Sequence, residues 1–400
     1  MASSKTATSN RRQLFIDIEA VATLAMVQKG LLSPLDGLMD SRTAAEVDQT
    51  ALYKGRTFPF SFLLAPSGKR NAQVLKSAET GETLDLICEG RKRGELSVKE
   101  VFPIDPKARV YKIYGTTDTT HPGVENTMNR LGSLAVCGDY SVEFEEVDRT
   151  LQRVAEAKAA ANAKHVTGLV MAARPLHRAH ERVIRQCLDE TDLLVIFLTK
   201  PYLKDVLPYG LRHACLDFFA KNFLPAHKVV IIPLENTYIF AGSNEMILNS
   251  IVVNNYGCDR FIVGQNHAGL GLHYSGGGMS TILDNLLGVD LEIKTTGEFV
   301  YCDLCKTLVT VQTCPHGHHH HITYHSDSIL TLLMEGIVPP AVLMRKEISA
   351  MLLDKLFPAR FKNLAKLYYD LIPSSGLIEE QGQQKFYMEL MKLYQTSSLT

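Results

Sequence analysis

The segment YCDLCKTLVTVQTCPHGHHHH, residues 301–321, concentrates side chains that bind metals. Cys302 and Cys305 form a CxxC pair, Cys314 follows, and His318 comes four residues after it. Three thiolates and an imidazole at these spacings suit a tetrahedral structural zinc. A redox CxxC would need neither the third cysteine nor a histidine, and the other alternative is free thiols beside exposed histidines. We therefore expect a closed, non-catalytic zinc site. The alternative candidates for the fourth ligand are His316, His319, His320 and His321.

A second candidate is AARPLHRAHERV, residues 172–183, which lies where a predicted strand at 166–173 passes into a helix. Pro175 suits the first turn, and His177 and His180 are three residues apart, so both can project from one face of that turn. The N–H groups at a helix start bind anions, and two imidazoles beside them could hold the phosphates of a nucleotide. The alternative is a pair of surface histidines without a ligand.

Two further loops follow predicted strand ends. GQNHAGLG, residues 264–271, can bring backbone amides close to a ligand, with His267 as a donor. LTKPYLKDVLPYGLRHA offers positive charge from Lys200, Lys204 and Arg212. A solvated basic loop is the alternative for the second segment.

The composition limits the classes of partner. The formal net charge is -1, so we expect no general attraction to nucleic acid or to an anionic membrane. The chain shows no signal peptide at its start and no apolar run near the roughly 18 residues that span a bilayer, and the cysteines outside the cluster are scattered rather than arranged as a disulfide framework. These features predict a cytoplasmic globular protein.

The elements that must position these residues fall into three regions. Residues 1 to about 150 are predicted to be mainly β, from the segments TFPFSFLLAPSGKRN, ETLDLICEG, LSVKEVFPI and ARVYKIYGT, after an initial helix closed by Gly30. A helix is expected at 147–164. Apolar runs at 166–173, 192–199, 228–234 and 259–264 then alternate with helical stretches, which predicts a doubly wound α/β domain with ligands at the carboxyl ends of its strands. The remainder is predicted to be mostly helical.

Taken together, these segments resemble the ATP sulfurylase (sulfate adenylyltransferase) family over nearly the full length. The matching stretches are DIEAVATLAMVQKGLLSPLDGLM, the HPGV at 121–124, the HxxHE at 177–181, NNYGCDRFIVGxxHAGxG at 255–271 and the CxxC…CPHG segment. The resemblance implies an α/β protein with three domains. These are a PUA-like β domain (1–164), a Rossmann-like nucleotidyltransferase domain of the HxGH kind (165–300), and a small, mostly helical C-terminal domain with a zinc loop (301–400).

The resemblance also implies site roles. His177 and His180 would contact the phosphates of ATP, supplied with Mg²⁺, and zinc would be held by Cys302, Cys305, Cys314 and His318. The nucleotide loop would be formed by Gly264, Asn266, His267, Ala268 and Gly269. The implied reaction is attack of a sulfate oxygen on the α-phosphorus of MgATP, which gives adenosine 5'-phosphosulfate and pyrophosphate without a covalent intermediate. Homo-oligomers are common in the family.

The chain departs from the family where sulfate is bound. The family usually reads Gln-Thr-Arg-Asn-Pro before the histidine pair, and here residues 171–175 are MAARP. Two further family arginines align with Ile239 and Asn244, the usual Gly-Arg-Asp-His-Ala-Gly is GQNHAG, and the usual Ser-Gly-Thr-x-x-Arg corresponds to residues 325–330. A buried hydrogen bond to a charged group contributes about 1.5 to 3 kcal/mol, so losing several without replacement would greatly weaken sulfate use.

Arg174, one position after the usual arginine, together with Lys200 or Lys204, could compensate for these losses. Sulfate adenylyl transfer is therefore the first expectation, with Arg174, His177 and His180 as its catalytic residues. The alternatives are a relative with another oxyanion or a carboxylate as acceptor, and a catalytically silent nucleotide-binding regulator. No Walker A motif is present, because SGKRN at 67–71 lacks the first glycine and the hydroxyl residue, so a fused kinase is not expected.

Overall fold

The computed structural model describes residues 11–202, 205–264, 286–372 and 382–394. The chain divides into two compact units. The first comprises Met1–Val170, Asp192–Leu203 and Ile232–Thr295. The second comprises Met171–Thr191, Lys204–Ile231 and Thr296–Thr400.

The N-terminal part of the first unit is built on a five-stranded sheet in the order β1-β5-β6-β7-β4. Its strands are β1 (Gln13–Phe15), β4 (Leu64–Pro66), β5 (Thr83–Cys88), β6 (Arg91–Pro103) and β7 (Leu131–Val142). β1 runs parallel to β5, and the other pairs are antiparallel. A separate pair joins β2 (Leu52–Tyr53) to β3 (Arg56–Thr57). This part of the fold is a β domain, as the sequence predicts.

Helices are more frequent in this region than the sequence predicts. They are α1 (Ile18–Gln28), α2 (Ser41–Thr50), α3 (Lys69–Lys76), α4 (Pro106–Tyr114) and α5 (Pro122–Arg130), followed by the expected helix α6 (Glu145–Ala160). The prediction of a strand at ARVYKIYGT is wrong, because these residues form α4. The Asp105 side chain accepts a hydrogen bond from the amide of Lys107, Pro106 occupies the first turn, and Gly115 ends the helix with φ of 73°. These end signals outweigh the β-branched content.

A second five-stranded sheet has the order β10-β9-β8-β11-β12. Its strands are β8 (Val166–Met171), β9 (Leu193–Pro201), β10 (Val229–Asn236), β11 (Arg260–Gly264) and β12 (Glu292–Thr296). The first four alternate along the chain with α7 (Arg178–Leu188), α8 (Tyr209–Phe223) and α9 (Asn244–Asn255), as expected of an α/β fold. β8 is parallel to β11, and the strand order reverses beside β8. Ligands bind at such a switch point in open α/β sheets, and the carboxyl end of β8 leads directly into the histidine motif.

Close packing explains the glycine in β8. A Cβ at Gly168 would come within 2.4 Å of the Val253 side chain on α9. The helix can therefore approach the strand only where there is no side chain.

The C-terminal part of the second unit begins with a three-stranded antiparallel sheet in the order β14-β13-β15. Its strands are β13 (Phe299–Cys302), β14 (Thr307–Thr310) and β15 (His321–Thr323), with a 3₁₀ turn at His318–His320. The helices that follow are α10 (Ser326–Met334), α11 (Lys346–Leu356), α12 (Leu364–Leu371) and α13 (Gln383–Tyr394). Among the described residues, no helix is both long and apolar enough to cross a membrane.

Candidate functional site

The histidine pair lies at the start of α7, which His177 precedes as the N-cap residue. The two imidazole rings are stacked, with centroids 3.7 Å apart and planes inclined by 21°. Tyr324 stacks on His177 at 5.4 Å, and Ser326 Oγ lies 3.1 Å from His177 Nε2. The sequence predicted that both histidines share one face of the first turn, and they do so.

Burial sets the protonation of this pair. His177 is 4% exposed, and burial lowers the pKa of both histidines, that of His180 to about 4. Both rings are therefore neutral at pH 7. The amide of His177 donates to Nδ1 of His180, which places the proton of that neutral ring on Nε2. His177 Nδ1 is buried and makes no hydrogen bond among the described residues. The His177 side chain instead faces the backbone amide of His180, in the arrangement of a capping box at the start of α7.

Glu181, in the first turn of α7, anchors the helix to the C-terminal segment. The residue is buried, and its carboxylate accepts two hydrogen bonds from Arg345 and one from Arg178 Nη1 at 3.1 Å. The Arg345 guanidinium also lies 3.7 Å from the Phe223 ring centroid. Arg345 is not predicted from the sequence, because it lies more than 160 positions from Glu181 and the pair leaves no local signal.

Arg174 belongs to a cluster of charges beside the loop that follows β8. Its Nε lies 2.9 Å from Asp205 Oδ1, and its side chain is 45% exposed. Arg212 is 2% exposed, and its Nη1 donates to the carbonyl of Ala172 at 2.6 Å. Burial lowers the pKa of Arg212, with Asp205 opposing that effect. An arginine keeps its charge under such conditions, so two cations and one carboxylate leave an excess of one positive charge beside the segment where the family places its sulfate ligands.

Lys200, in the first unit, is already paired. Its ammonium contacts Glu146 and, at 3.2 Å, Glu235 Oε1, while Tyr202 donates to the other oxygen of Glu235. Burial opposes the charged form, but the two carboxylates raise the pKa of Lys200. Its positive charge is thus compensated within the protein, which makes it a weak candidate for binding an anion.

Ile239 and Asn244, which align with two family arginines, have structural contacts in the first unit. Ile239 is fully buried. Asn244 donates from Nδ2 to the carbonyls of Lys112 and Ile113, both at 3.0 Å, near the end of α4. Neither residue supplies charge to a ligand.

The predicted nucleotide loop is only partly described. Gly264 ends β11, beside β8 in the sheet. Asn266, His267, Ala268, Gly269 and Lys204 lie outside the described residues. Their roles stay predictions.

The cysteine cluster is gathered at one point of the second unit. Cys302, Cys305, Cys314 and His316 have their donor atoms within 4.8 Å of one another. His316, and not the expected His318, is the histidine of this group. His318 is exposed in the 3₁₀ turn, and its ring packs edge-on against His321. The turn at Cys314-Pro315-His316 places the His316 ring beside the three thiols. The spacing of the residues alone does not reveal this turn.

The donor geometry fits a zinc ion. His316 Nδ1 lies 3.4, 3.3 and 3.6 Å from the sulfurs of Cys302, Cys305 and Cys314, and the last two sulfurs are 3.9 Å apart. Tetrahedral bonds of about 2.3 Å to sulfur and about 2.0 Å to nitrogen give edges of about 3.8 Å between sulfurs and about 3.5 Å between sulfur and nitrogen. Burial alone would raise the pKa of Cys302. Hydrogen bonds from the backbone amides of Cys305 and Leu304 outweigh this effect and lower the pKa to about 6.

Comparison with known proteins decides the family. The ATP-sulfurylase family model matches residues 145–355, and a PUA-like domain model matches residues 2–143. The chain belongs to the ATP sulfurylase family. The sequence resemblance is thereby confirmed, as is the PUA-like nature of the N-terminal domain.

Relatives in this family align along most of the chain. A sulfate adenylyltransferase from Carboxydothermus hydrogenoformans is 30% identical over 346 residues, which are 82% of this chain and 88% of the relative. The sulfate adenylyltransferase of Chloroflexus aurantiacus is 28% identical over 349 residues, covering 85% of this chain and 90% of the relative. Among solved structures, the hexameric APS kinase from Thiobacillus denitrificans superposes with a TM-score of 0.64 at 17% identity, over 88% of this chain and 64% of that one. At this level of identity, the structural similarity to that protein supports the fold alone.

Proposed function

We propose that this chain is an adenylyltransferase that joins the AMP moiety of MgATP to an oxyanion, with sulfate as the first candidate. The observation that carries the proposal is the buried, neutral, stacked pair of His177 and His180 at the start of α7. The family relatives named sulfate adenylyltransferase support the choice of sulfate.

In the proposed reaction, a sulfate oxygen attacks the α-phosphorus of ATP. A new P–O bond forms while the bond to the β-phosphate oxygen breaks, and pyrophosphate leaves with its electron pair. The reverse reaction gives ATP from adenosine 5'-phosphosulfate and pyrophosphate. The protein must hold two anions in line and stabilise the charge that develops on the leaving group.

The histidines would act here as neutral donors and not as cations. His180 carries its proton on Nε2 and can donate it to a phosphate oxygen. Most of the charge compensation would come from the Mg²⁺ that accompanies ATP.

The oxyanion would bind beside Arg174 and Arg212. Their excess of one positive charge over Asp205 is smaller than several unpaired arginines would supply. Lys200 adds little because two carboxylates neutralise it. The weak net charge favours slow sulfate turnover or a less charged acceptor, which keeps the changed-acceptor alternative open.

The remaining expectations are part of the same proposal. Gly264 and residues 266–269 would line the nucleotide, and Lys204 would add charge. Cys302, Cys305, Cys314 and His316 would hold a structural zinc. The domain boundaries at 164 and 300, a cytoplasmic location and a homo-oligomeric state are likewise proposed.

The decisive assay is ATP formation from adenosine 5'-phosphosulfate, pyrophosphate and Mg²⁺ by the purified protein. Turnover that falls at least tenfold in His177→Ala and His180→Ala, but not in the exposed-residue control His227→Asn, would support the proposal. If folded, ATP-binding protein shows no turnover, sulfate is not the acceptor. Pyrophosphate release should then be measured with a panel of oxyanions and carboxylates. Release with one acceptor indicates a changed enzyme, and release with none indicates a silent nucleotide-binding relative.

A further inference from the structure

A cavity of about 610 Å³ lies in the C-terminal part of the second unit, apart from the histidine pair. Its walls come from the segment 336–346, from Arg360 and Phe361, and from α13. Volumes of this size are typical of sites for small organic molecules. Most of the lining is apolar, with Met344, Phe361 and Met391 among its residues.

The charged groups of the lining have one sign. Lys346 and Arg360 line the cavity, and no aspartate or glutamate does so in the described part of the chain. Arg360 donates from Nη1 to the carbonyl of Gly336 at 3.2 Å and lies 5.0 Å from the Phe357 ring centroid. Lys346 is half-buried and Arg360 is exposed, and neither forms an ion pair among the described residues. The cavity therefore complements an anion.

Tyr387 supplies an independent indication of a ligand. Its side chain lines the cavity and is only 4% exposed, yet its hydroxyl makes no hydrogen bond among the described residues. Leaving a buried hydroxyl unpaired is unfavourable, so such groups are nearly always satisfied by a hydrogen-bond partner.

One wall of the cavity also supports the histidine helix. Ala341 lines the cavity, and its carbonyl accepts from Arg178 Nε at 3.1 Å. The carbonyl of Leu343 accepts from the Arg178 amide at 2.9 Å, and that of Val342 accepts from Tyr324, the residue stacked on His177. A molecule that presses on residues 341–344 thus contacts the segment that holds the first turn of α7.

From these observations we infer that the cavity binds a small organic anion, with an apolar body against Met344, Phe361 and Met391 and an anionic group between Lys346 and Arg360. The Tyr387 hydroxyl donates to a polar atom of that ligand. Its binding stabilises the segment 341–344 and, through it, the first turn of α7. This site is distinct from the proposed nucleotide site, and its existence does not depend on adenylyl transfer.

The probe is 8-anilinonaphthalene-1-sulfonate, an aromatic sulfonate whose fluorescence rises in apolar surroundings, with uncharged N-phenyl-1-naphthylamine as its comparison. We expect saturable binding of the sulfonate that excess MgATP does not displace. Lys346→Gln with Arg360→Gln should weaken it at least tenfold, because two charge-assisted contacts are lost, while binding of the uncharged probe changes less than twofold. Lys355→Gln with Lys362→Gln removes two exposed charges outside the cavity and should leave both affinities unchanged.

Equal sulfonate affinity in the wild type and the Lys346/Arg360 variant would overturn the assignment, as would complete displacement by MgATP. Tyr387→Phe provides a second variant that preserves the packing and should weaken sulfonate binding several-fold. The coupling is tested by hydrogen–deuterium exchange. Saturating sulfonate should slow exchange in residues 176–184 of the wild type and not of the Lys346/Arg360 variant, and unchanged exchange in the saturated wild type would refute the link to α7.

Discussion

Arg345 donates two hydrogen bonds to Glu181, from Nε to Oε1 at 3.1 Å and from Nη2 to Oε2 at 2.7 Å. The pair joins the first turn of α7 to the residue that precedes α11, and it is largely closed to solvent, with side chains 14% and 7% exposed. A buried carboxylate that loses its partner remains buried as an uncompensated charge. The position of the histidine pair therefore depends on a residue far along the chain.

We expect Arg345→Met to lower the free energy of unfolding by about 3 kcal/mol, near the lower end for a broken buried pair because Arg178 still contacts Glu181. Urea denaturation checks this value. The double variant Glu181→Leu with Arg345→Met removes both charges and should be more stable than Arg345→Met alone. A single variant as stable as the wild type would show that the pair contributes nothing.

The stability of the protein should depend on His180 in mildly acidic solution. Burial lowers the pKa of His180 to about 4 from its usual 6.5. Between these values the unfolded chain binds more protons than the folded one, so the free energy of unfolding decreases as pH falls from about 6.5 to about 4. His177, whose pKa is also lowered by burial, adds to the same decrease. His180→Asn should flatten this decline.

The measurement for His180 is the urea midpoint at several pH values across that window. His227→Asn is the matched control, because His227 is exposed and asparagine tolerates its φ of 61°. An unchanged pH dependence in His180→Asn would mean that the ring titrates normally in the folded protein.

Asp205 should limit the affinity for oxyanions. Asp205→Asn removes the carboxylate that pairs with Arg174 and attracts Arg212, while retaining a side chain of the same shape. We expect sulfate to bind several-fold more tightly, as measured by isothermal titration calorimetry at low ionic strength. Asp189→Asn, which neutralises an exposed carboxylate at the end of α7, should have no effect. Unaltered sulfate affinity in Asp205→Asn would exclude this cluster as the oxyanion site.

The zinc proposal predicts that His316 is a ligand and that His318 is not. Purified protein should contain about one zinc per chain by elemental analysis, since a closed site of three thiolates and an imidazole binds it tightly. Cys305→Ser and His316→Ala should lose most of the metal, and His318→Ala should retain it. Loss in His318→Ala with retention in His316→Ala would reverse the assignment of the fourth ligand.

The larger elements of the catalytic region could be predicted from the sequence because buried strands carry a strong apolar signal. The predicted strands at 166–173 and 192–199 correspond to Val166–Met171 and Leu193–Pro201. The helix α4 was missed because the β-branched residues and tyrosines of ARVYKIYGT hid the signals at Asp105, Pro106 and Gly115. The type of an element can thus be predicted where a continuous run of residues is buried. It cannot be predicted as easily where the capping residues determine that a helix forms.

The sequence predicts the residues of the candidate site that belong to a local motif, but it does not predict their long-range contacts. His177 and His180 follow from their spacing, since a helix brings residues three apart together. The sequence identifies Arg212 only as a source of positive charge, because its hydrogen bond to the Ala172 carbonyl depends on how α8 packs. Arg174 pairs with Asp205 and Lys200 pairs with Glu235, and the partners are again distant in sequence. The sequence alone therefore does not reveal that the positive charge of each cation is already compensated.

The complete burial of Ile239 has an evolutionary consequence. An arginine introduced there today would place an unpaired charge in an apolar environment, at a cost of several kcal/mol, before it could assist any anion. Asn244 is similarly committed to the end of α4. A single mutation that introduces the family arginine at Ile239 is therefore expected to lower stability. Adding a cation at this position would require compensating substitutions in the surrounding core.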